Sequence, residues 1–240
     1  AEYGTKNWYD LKPYYQEEEK YGELRMLSRQ YDKKTELIVT EKVNLTNILD
    51  MVMPGIKLIL SDEKLLEFAE KYKWLCFELL GKKKLPLRVT HNDTKLNNVL
   101  LDKETGMPVC IVDLDTVMPG LSVYDFGDSI RFGTNPCEED EEDLSKVFCD
   151  MELFEMYSKG FLEMCGDILT DEEIKLLPMS SLVMTYECGI RFLADFVDGD
   201  NYFKTSYPMQ NLFRARTQFK LVSDMEQKLP LMEKIIEKYR

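Results

Sequence analysis

The spacing of apolar residues divides the chain into a helical stretch, a strand-like stretch and a second helical stretch. Between Ser61 and Gly81 the apolar positions recur every three or four residues, which predicts a helix that ends at the glycine. From Leu85 the pattern changes to three short extended runs, LPLRVT, VLL and PVCIVDL, and a KETG turn joins the last two. Beyond Gly133 the helical spacing returns. The pattern therefore predicts an α+β chain that is mostly helical.

Local signals predict where the later helices begin and end. Thr170 followed by Glu173 matches a capping box, and Pro178 is predicted to end the helix that starts there, because proline has no backbone N–H to donate. A separate helix is predicted over residues 180–198, and a last one through LFRARTQFKLVSDMEQKL with a further turn after Pro230. The acidic run EEDEEDL is predicted to be a solvated loop or the first turn of a helix.

Charge, cysteine and histidine content narrow the classes of function. A formal net charge of -13 argues against nucleic acids and anionic membrane surfaces as partners, because both bind basic protein faces. The cysteines form no CxxC pair, no apolar run is long enough to cross a membrane and no secretory leader precedes Ala1, so a cytoplasmic location is expected. The single histidine, His91, excludes a metal site built from several imidazoles.

The segment HNDTKLNN, residues 91–98, concentrates groups that suit phosphoryl transfer. This reaction needs a carboxylate that accepts the proton of the attacking hydroxyl, a cation near the moving phosphoryl group and oxygen ligands for Mg²⁺. Asp93 can be the base and Lys95 the cation. A metal site can be formed by Asn98 together with Asp113, which ends the following strand. The order matches the protein-kinase pattern H-R-D-x-K-x-x-N and its later metal-binding aspartate, with asparagine in place of the arginine.

Turn chemistry is the simpler interpretation of the same segment. Asparagine and aspartate in a loop between strands often bond their own backbone and bind no ligand. An H-x-D triplet alone would favour that interpretation. The addition of Lys95, Asn98 and the strand-borne Asp113, in the order that the kinase pattern requires, favours a phosphotransferase site.

Two longer segments, LPLRVTHNDTKLNNVLLD and IVDLDTVMPGLSVYDFGDSIRFG, resemble the aminoglycoside phosphotransferase and choline-kinase superfamily, which has a protein kinase-like fold. The likeness is closest to the N-acetylhexosamine 1-kinase group, whose members phosphorylate the anomeric hydroxyl of N-acetylglucosamine or N-acetylgalactosamine. It extends more thinly through YECGIRFLADFVDGDNYF and YPMQNLFRAR to about Glu226. The resemblance implies an enzyme that uses ATP and Mg²⁺, with Asp93 as catalytic base and with Asn98 and Asp113 as magnesium ligands.

Some polar residues near the segment are candidates for support or for ligand contact. His91 is predicted to brace the backbone beside the metal-binding aspartate, as the imidazole does in such loops. Asp125 and Asp128 in YDFGDSIR are predicted to brace the catalytic loop or to cap the following helix. Asp115 lies two residues beyond Asp113, so on a strand both side chains would point the same way and Asp115 could reach the metal or a sugar hydroxyl.

A polar stripe further along the chain offers candidates for sugar recognition. Glu187, Arg191 and Asp195 follow one another at intervals of four residues, so a helix would place them on one face. Such a stripe can be a solvated ladder of ion pairs or a surface that grips sugar hydroxyls and amide oxygens. Arg131, Arg214 and Arg216 are similar cases. The candidate substrate-binding residues are therefore Asp115, Arg131, Arg191 and Asp195.

The segment before the catalytic loop departs from the pattern of this superfamily. A kinase of this type should have an amino-terminal lobe with a glycine-rich loop and a strand lysine over the ATP phosphates. About 85 residues precede the catalytic region, their glycines form no cluster, and Lys42 is the only lysine that ends a strand-like run. We therefore expect residues 1–60 to be a linker or a remnant of that lobe, which is missing or strongly shortened, and residues 61–240 to be the helical catalytic lobe.

Two functions follow from these observations. The first is an ATP- and Mg²⁺-dependent kinase of carbohydrate metabolism that phosphorylates a hydroxyl group of a small molecule. The most specific prediction for this acceptor is an N-acetylhexosamine. The alternative is a catalytically silent kinase-like module that binds a sugar or another partner without a complete ATP lobe. The constellation of Asp93, Asn98 and Asp113 favours the first, and the absence of a glycine-rich segment favours the second.

Overall fold

The structure is a computed structural model that describes residues 85–240 and seven residues of the preceding segment. These seven are Leu65, Phe68, Ala69, Lys71, Tyr72, Trp74 and Leu75. The described residues belong to one compact unit, Glu63–Arg240. The expectations for residues 1–60, including the strand-like run with Lys42, fall outside the described residues. The domain division near residue 60 and the shortened amino-terminal lobe therefore remain predictions.

The short strands of the described residues flank the histidine segment and pair as two antiparallel ribbons. β1 (Arg88–Thr90) pairs with β4 (Met118–Gly120). β2 (Val99–Leu101) pairs with β3 (Pro108–Ile111). The extended runs predicted from the sequence are confirmed in these strands, and residues 91–98 lie between β1 and β2.

Helices make up most of the described chain. The α-helices are α1 (Ser122–Gly133), α2 (Met151–Cys165), α3 (Asp171–Val197) and α4 (Gln210–Tyr239). Single 3₁₀ turns lie at Leu96–Asn98, Leu114–Thr116, Leu144–Lys146 and Gly166–Ile168. α3 packs against both α1 and α4, and α2 packs against α4. This mixture is compatible with the predicted α+β class, and none of the described helices combines the length and apolarity that crossing a membrane requires.

Helix α3 begins with the predicted capping box but does not end at the predicted proline. The Thr170 hydroxyl accepts a hydrogen bond from the Glu173 N–H, and the Glu173 carboxylate accepts one from the Thr170 N–H at 2.8 Å. The predicted end at Pro178 is wrong, because α3 continues to Val197 and includes the separate helix predicted over 180–198. An interior proline costs about 3 kcal/mol, but α3 is buried between α1 and α4, and this packing outweighs the cost.

Helix α4 also passes through a proline. The further turn predicted after Pro230 is part of the same helix, which continues to Tyr239. Met232, Ile235 and Ile236, which follow the proline, are buried. Apolar burial of this last part offsets the backbone hydrogen bond that the proline cannot make.

Two glycines allow the central helices to approach one another closely. A Cβ atom on Gly127 of α1 would lie 2.4 Å from the backbone oxygen of Ser180 on α3. A Cβ atom on Gly189 of α3 would lie 2.7 Å from the ring of Phe219 on α4. Any larger residue at either position would force the helices apart, so these contacts set the spacing of α1, α3 and α4.

The helix predicted over residues 61–81 joins the same core where it is described. The described helical positions are Leu65, Phe68, Ala69, Lys71 and Leu75. The Phe68 ring stacks on Phe219 of α4 with centroids 5.2 Å apart, and the hydroxyl of Tyr186 on α3 donates to the Ala69 carbonyl at 2.5 Å. The predicted helix is confirmed at these five positions, whereas Tyr72 and Trp74 lie in turns, and its other positions lie outside the described residues.

Candidate active site

Carboxylates of α1 hold the backbone of residues 91–98 in place. Asp125 accepts hydrogen bonds from the N–H groups of His91 and Asn92, both at 2.8 Å. Asp128 accepts one from the Thr94 N–H at 2.8 Å. Burial raises the pKa of Asp125, and the two N–H donors oppose this shift in part. These contacts are the structural basis for the bracing role predicted for Asp125.

Three hydroxyl side chains that the sequence did not single out complete this frame. Thr94 donates to the backbone oxygen of Asp125 at 2.6 Å. Ser129 donates to the backbone oxygen of Thr94 at 3.1 Å, and Thr116 donates to that of His91 at 2.7 Å. Serine and threonine occur in every kind of loop and helix, so no sequence signal marks these three. Their contribution depends on the approach of segments that are distant in the chain.

The imidazole of His91 contacts the backbone immediately before Asp113. Its Nε2 lies 3.0 Å from the carbonyl oxygen of Val112. A neutral imidazole that donates from Nε2 keeps Nδ1 as an acceptor, and Nδ1 is buried without a hydrogen-bond partner among the described residues. The position beside Asp113 is the one that the predicted bracing role requires.

The predicted base, cation and first metal ligand converge at one end of the loop. The Asp93 carboxylate oxygen Oδ2 accepts a hydrogen bond from the Asn98 amide at 2.8 Å and lies 3.1 Å from the Lys95 ammonium. Asn98 also donates to the Asp93 backbone oxygen at 2.8 Å. Because the amide nitrogen of Asn98 faces Asp93, its amide oxygen is the atom that can coordinate a cation.

Asp113 reaches this group through the β2–β3 ribbon. The Val112 N–H donates to the Asn98 carbonyl at 2.9 Å, which sets Asp113 beside Asn98 along the backbone. Asp113 has a φ of 63° and precedes the 3₁₀ turn Leu114–Thr116. Aspartate is one of the few residues that tolerate this left-handed conformation. The predicted strand therefore ends at Ile111 and does not extend to the two aspartates, because the left-handed residue interrupts the ladder.

Asp115 lies next to Asp113 for a reason that differs from the predicted one. Strand alternation was expected to align the two side chains, whereas the 3₁₀ turn brings them together. A hydrogen bond with the Asp115 carboxyl group raises the pKa of Asp113, and the charge of Asp93 raises it further, while the Lys95 charge lowers it. Adjoining carboxyl groups of this kind favour a bound cation, because a cation relieves their repulsion.

The donor set fits magnesium only together with a phosphate ligand. Within the described residues, no group of three or more His, Cys, Asp or Glu side chains is arranged to hold a metal ion. The available donors are the Asn98 amide oxygen and the carboxylates of Asp113 and Asp115. Mg²⁺ in kinases is commonly bound through one or two carboxylates, with water and substrate phosphates as the remaining ligands. The residues therefore suit a Mg–nucleotide complex better than a free ion.

Comparison with known protein families matches this region of the chain. Residues 52–156 match the family model of the phosphotransferase enzyme family (APH). The match includes the whole segment 91–98 and Asp113, and it ends within α2. It supports the predicted resemblance to the aminoglycoside phosphotransferase superfamily and therefore a kinase-type enzyme with a protein kinase-like fold. The finer likeness to N-acetylhexosamine kinases is not part of this match.

Arg131, a candidate for substrate binding in this phosphotransferase-like region, forms ion pairs within the protein. Arg131 on α1 is buried, and its guanidinium lies 2.9 Å from Asp128 and 2.8 Å from Glu139. Glu139 belongs to the acidic run, which forms a loop as predicted. This loop is not simply solvated, because Asp140 accepts hydrogen bonds from Tyr207 and Gln210 at 2.7 and 2.6 Å. These contacts favour a role for Arg131 in docking the acidic loop over direct contact with a substrate.

Asp195, near the end of α3, is likewise occupied by contacts within the protein. It is 7% exposed, and its carboxylate accepts hydrogen bonds from the N–H groups of Tyr202 and Phe203 at 2.7 and 2.9 Å. The amide of Asn211 donates to the same carboxylate at 2.9 Å. The loop after α3 is thereby attached to the helix, and this geometry favours a structural role for Asp195 over substrate contact.

Arg191 remains accessible beside two aromatic rings. Its guanidinium carbon lies 5.2 Å from the centre of the Phe203 ring and 5.6 Å from that of Tyr202. Its Nε lies 3.8 Å from the Glu187 carboxylate. Tyr202 is 75% exposed. Glu187 and Arg191 of the predicted stripe thus form an ion pair, and the half-buried arginine and the exposed tyrosine form a surface on which a sugar ring could lie.

A cavity of about 650 Å³ opens beside the converging residues. Asp93, Lys95 and Asn98 contribute to its wall. The remaining wall is largely apolar and includes Met156 and Phe161 of α2. The cavity is large enough for a small molecule, and its polar groups are concentrated at the catalytic loop.

Proposed function

We propose that this chain transfers the γ-phosphoryl group of ATP to a hydroxyl group of a small molecule, and that the acceptor is the anomeric hydroxyl of an N-acetylhexosamine. The observation that carries the reaction type is the Asp93 carboxylate held between the Asn98 amide and the Lys95 ammonium, with Asp113 following the residue that is bonded to the Asn98 backbone. The match to the phosphotransferase family supports this reaction type. The acceptor rests on the finer resemblance of the sequence to N-acetylhexosamine kinases.

Asp93 is the proton acceptor in this proposal. Its Oδ2 atom is engaged by both Asn98 and Lys95, so its second carboxylate oxygen is available to the hydroxyl of the acceptor. A carboxylate in this position orients the hydroxyl and removes its proton as the new P–O bond forms. The side chain is 26% exposed, so a substrate can reach it.

Lys95 supplies positive charge next to the base. Its ammonium lies 3.1 Å from Asp93 and is 35% exposed, so it can also face the phosphoryl group during transfer. Charge that is already in place before the reaction stabilises the transition state without a cost of reorganisation. Loss of Lys95 should therefore slow transfer more than it weakens substrate binding.

Asn98 and Asp113 are the residues proposed to hold Mg²⁺, with Asp115 as the adjoining carboxylate. A bound ion would neutralise charge on the phosphate oxygens of the nucleotide. Asn98 is fixed by its two hydrogen bonds to Asp93, and Asp113 is fixed by its left-handed backbone and the adjacent β2–β3 ribbon. The Asn98 side chain is therefore oriented by the protein, and the backbone from which the Asp113 carboxylate extends is fixed.

The β2–β3 ribbon also presents apolar side chains to solvent beside the proposed metal site. Leu100, Leu101, Val109 and Ile111 are all about half exposed or more. An exposed apolar patch of this kind commonly marks a binding surface, and the flat base of a nucleotide could cover it. The patch is further support for ATP as the phosphate donor.

The decisive experiment compares Asp93→Asn with the wild-type chain in a phosphoryl-transfer assay with Mg-ATP and with N-acetylglucosamine or N-acetylgalactosamine. Loss of the base should reduce turnover by about a thousandfold, while the melting temperature stays near that of the wild type. Asp167→Asn, at an exposed position in a 3₁₀ turn, is the matched control and should retain full activity.

Two outcomes would contradict the proposal. Unchanged transfer by Asp93→Asn would remove the role of the base. A wild-type chain that binds these sugars in calorimetry but neither binds Mg-ATP nor transfers phosphate would favour the alternative of a silent sugar-binding module.

A further inference from the structure

A second cavity, of about 630 Å³, adjoins the catalytic loop on another side. It reaches that loop at Leu96 and Asn97. Its polar wall includes Glu139, Asp140, Gln210, Arg214 and Gln218. The cavity therefore connects the backbone between Lys95 and Asn98 with helix α4, which lies outside the region matched to the phosphotransferase family.

Helix α4 presents a polar stripe to this cavity. Gln210, Arg214 and Gln218 are spaced by four residues and line the same wall. Gln218 is 2% exposed, and its amide oxygen Oε1 is buried without a hydrogen-bond partner among the described residues. The Nε–H of Arg214 is likewise buried and has no partner within the described part of the chain. One unpaired acceptor and one unpaired donor thus belong to side chains that line the cavity from successive helical turns.

The neighbouring polar groups, by contrast, have partners. Gln210 accepts a hydrogen bond from the Ser206 N–H at 2.7 Å and donates one to Asp140 at 2.6 Å. The terminal Nη1 of Arg214 donates to the Asn211 side chain at 2.8 Å. Buried polar groups in native proteins are almost always paired. Two unpaired groups on a well-bonded wall therefore suit a ligand that can donate to one and accept from the other.

Charges around the cavity are largely balanced. Arg131 pairs with Glu139, and hydrogen bonds from Tyr207 and Gln210 occupy Asp140. Burial alone would raise the pKa of Asp140, but these hydrogen bonds lower it below its usual value, so the group stays ionised. Arg214 and Glu138 add one charge of each sign to this wall. Because charges of both signs lie close together, the wall favours an uncharged ligand over an ionic one.

We propose that this cavity is a subsite for the phosphoryl acceptor and recognises an uncharged molecule that carries hydroxyl or acetamido groups. Gln218 Oε1 accepts a hydrogen bond from the ligand, and Arg214 Nε donates one. The inference rests on the proposed kinase function and names the residues that would select its acceptor. A hydroxyl or a secondary amide can satisfy both groups at once, because each of these functional groups donates and accepts.

Aromatic contacts connect this subsite with the exposed Arg191 surface. The Arg214 guanidinium carbon lies 5.5 Å from the centre of the Phe192 ring. The Phe192 and Phe203 ring centres are 4.6 Å apart, and Phe203 is in turn adjacent to Arg191. Arg191 and Tyr202 therefore belong to the same cluster of side chains as Arg214. The proposed subsite and the Arg191 surface are thus connected through the rings of this cluster.

The test compares Gln218→Leu with Gln227→Leu, an exposed glutamine on the same helix that serves as the matched control. Leucine is close to glutamine in size and removes the unpaired oxygen, so Gln218→Leu should melt at or above the wild-type temperature. The KM for N-acetylglucosamine or N-acetylgalactosamine should rise roughly tenfold. The kcat and the KM for Mg-ATP should stay within about twofold of the wild-type values, and Gln227→Leu should match the wild type.

Direct binding separates this inference from the proposed kinase function. In a calorimetric titration with each sugar alone, Gln218→Leu should lose most of its affinity even if the wild-type chain transfers no phosphate. A second variant, Arg214→Lys, keeps the charge but lacks Nε and should weaken sugar binding in the same direction. Sugar affinity unchanged in Gln218→Leu, or no sugar binding by the wild-type chain, would overturn the inference. Phosphate transfer that persists with normal KM in Gln218→Leu would leave the kinase function standing without this subsite.

Discussion

Asp93 in the catalytic loop and Asp195 at the end of α3 are both candidate site residues, yet their surroundings differ. Asp93 is 26% exposed and contacts one side-chain amide and one ammonium group, those of Asn98 and Lys95. Asp195 is 7% exposed and accepts hydrogen bonds from two backbone N–H groups and a buried side-chain amide. A carboxylate whose hydrogen-bonding capacity is used by backbone groups maintains the fold. One that keeps an accessible oxygen can take part in chemistry.

The region around the loop contains both kinds of carboxylate within a short distance. Asp125 and Asp128 on α1 accept hydrogen bonds from backbone N–H groups within residues 91–94. The donors of these bonds are the residues on either side of Asp93 and not Asp93 itself. They hold the segment, while Asp93 contacts Asn98 and Lys95 and stays partly accessible. The same residue type thus occurs in this region both as a support of the backbone and at a position that is open to a ligand.

The largest expected effect on stability comes from Asp195→Ala. The substitution would leave the N–H groups of Tyr202 and Phe203 without their acceptor and would remove one of the two acceptors of the Asn211 amide. We expect the free energy of unfolding to fall by about 4 kcal/mol, because each buried N–H that loses its acceptor costs about 1 to 3 kcal/mol. Urea denaturation measures this loss, and Asp167→Ala at an exposed position is the control. A loss below about 1 kcal/mol together with weaker sugar binding would instead support the predicted substrate role of Asp195.

A smaller effect on stability is expected from protonation of Glu173 at acid pH, because the Glu173 carboxylate also accepts hydrogen bonds within the fold. Burial would raise its pKa, but hydrogen bonds from Arg88, Ser122 and Thr170 outweigh burial and lower its pKa to about 2. A lowered folded-state pKa contributes stability that is complete above the unfolded-state pKa near 4.5 and is lost as the pH falls towards 2. The full loss is on the order of 3 kcal/mol.

Glu173→Gln should flatten this pH dependence. The variant should be less stable than the wild type at pH 6, and the difference between the two should shrink as the pH falls below about 5. Urea unfolding at several pH values gives the two curves, with Glu172→Gln at the exposed neighbouring position as the control. Parallel curves for Glu173→Gln and the wild type would exclude Glu173 as the titrating group.

The smallest expected change in stability is that of Lys95→Met. The pair between Lys95 and Asp93 is partly exposed, so its removal should change the free energy of unfolding by less than about 1 kcal/mol. Phosphoryl transfer should nevertheless fall by at least about tenfold, because the charge near the reacting group is lost. Lys159→Met, which removes an exposed lysine on α2, should change neither quantity. A large loss of stability in Lys95→Met would show that the pair of Lys95 and Asp93 maintains the fold, as the carboxylates on the helices do.

The elements that could be predicted from the sequence share a local cause. The strands that flank residues 91–98 follow from short apolar runs, and the start of α3 follows from the capping box of Thr170 and Glu173. The contacts among Asp93, Lys95 and Asn98 also lie within one short segment, so their spacing already limited how far apart they could be. Their catalytic roles remain predictions that the Asp93 and Lys95 variants test.

The sequence by itself determined which side chains the loop brings together, because residues 91–98 span only a few positions between two strands. Only the tertiary structure decided that α3 passes through Pro178, that Arg131 and Asp195 are used by the fold, and that Gln218 faces a cavity. Burial and hydrogen-bond partners of a helical residue come from segments far away in the chain, and local patterns carry no information about those neighbours.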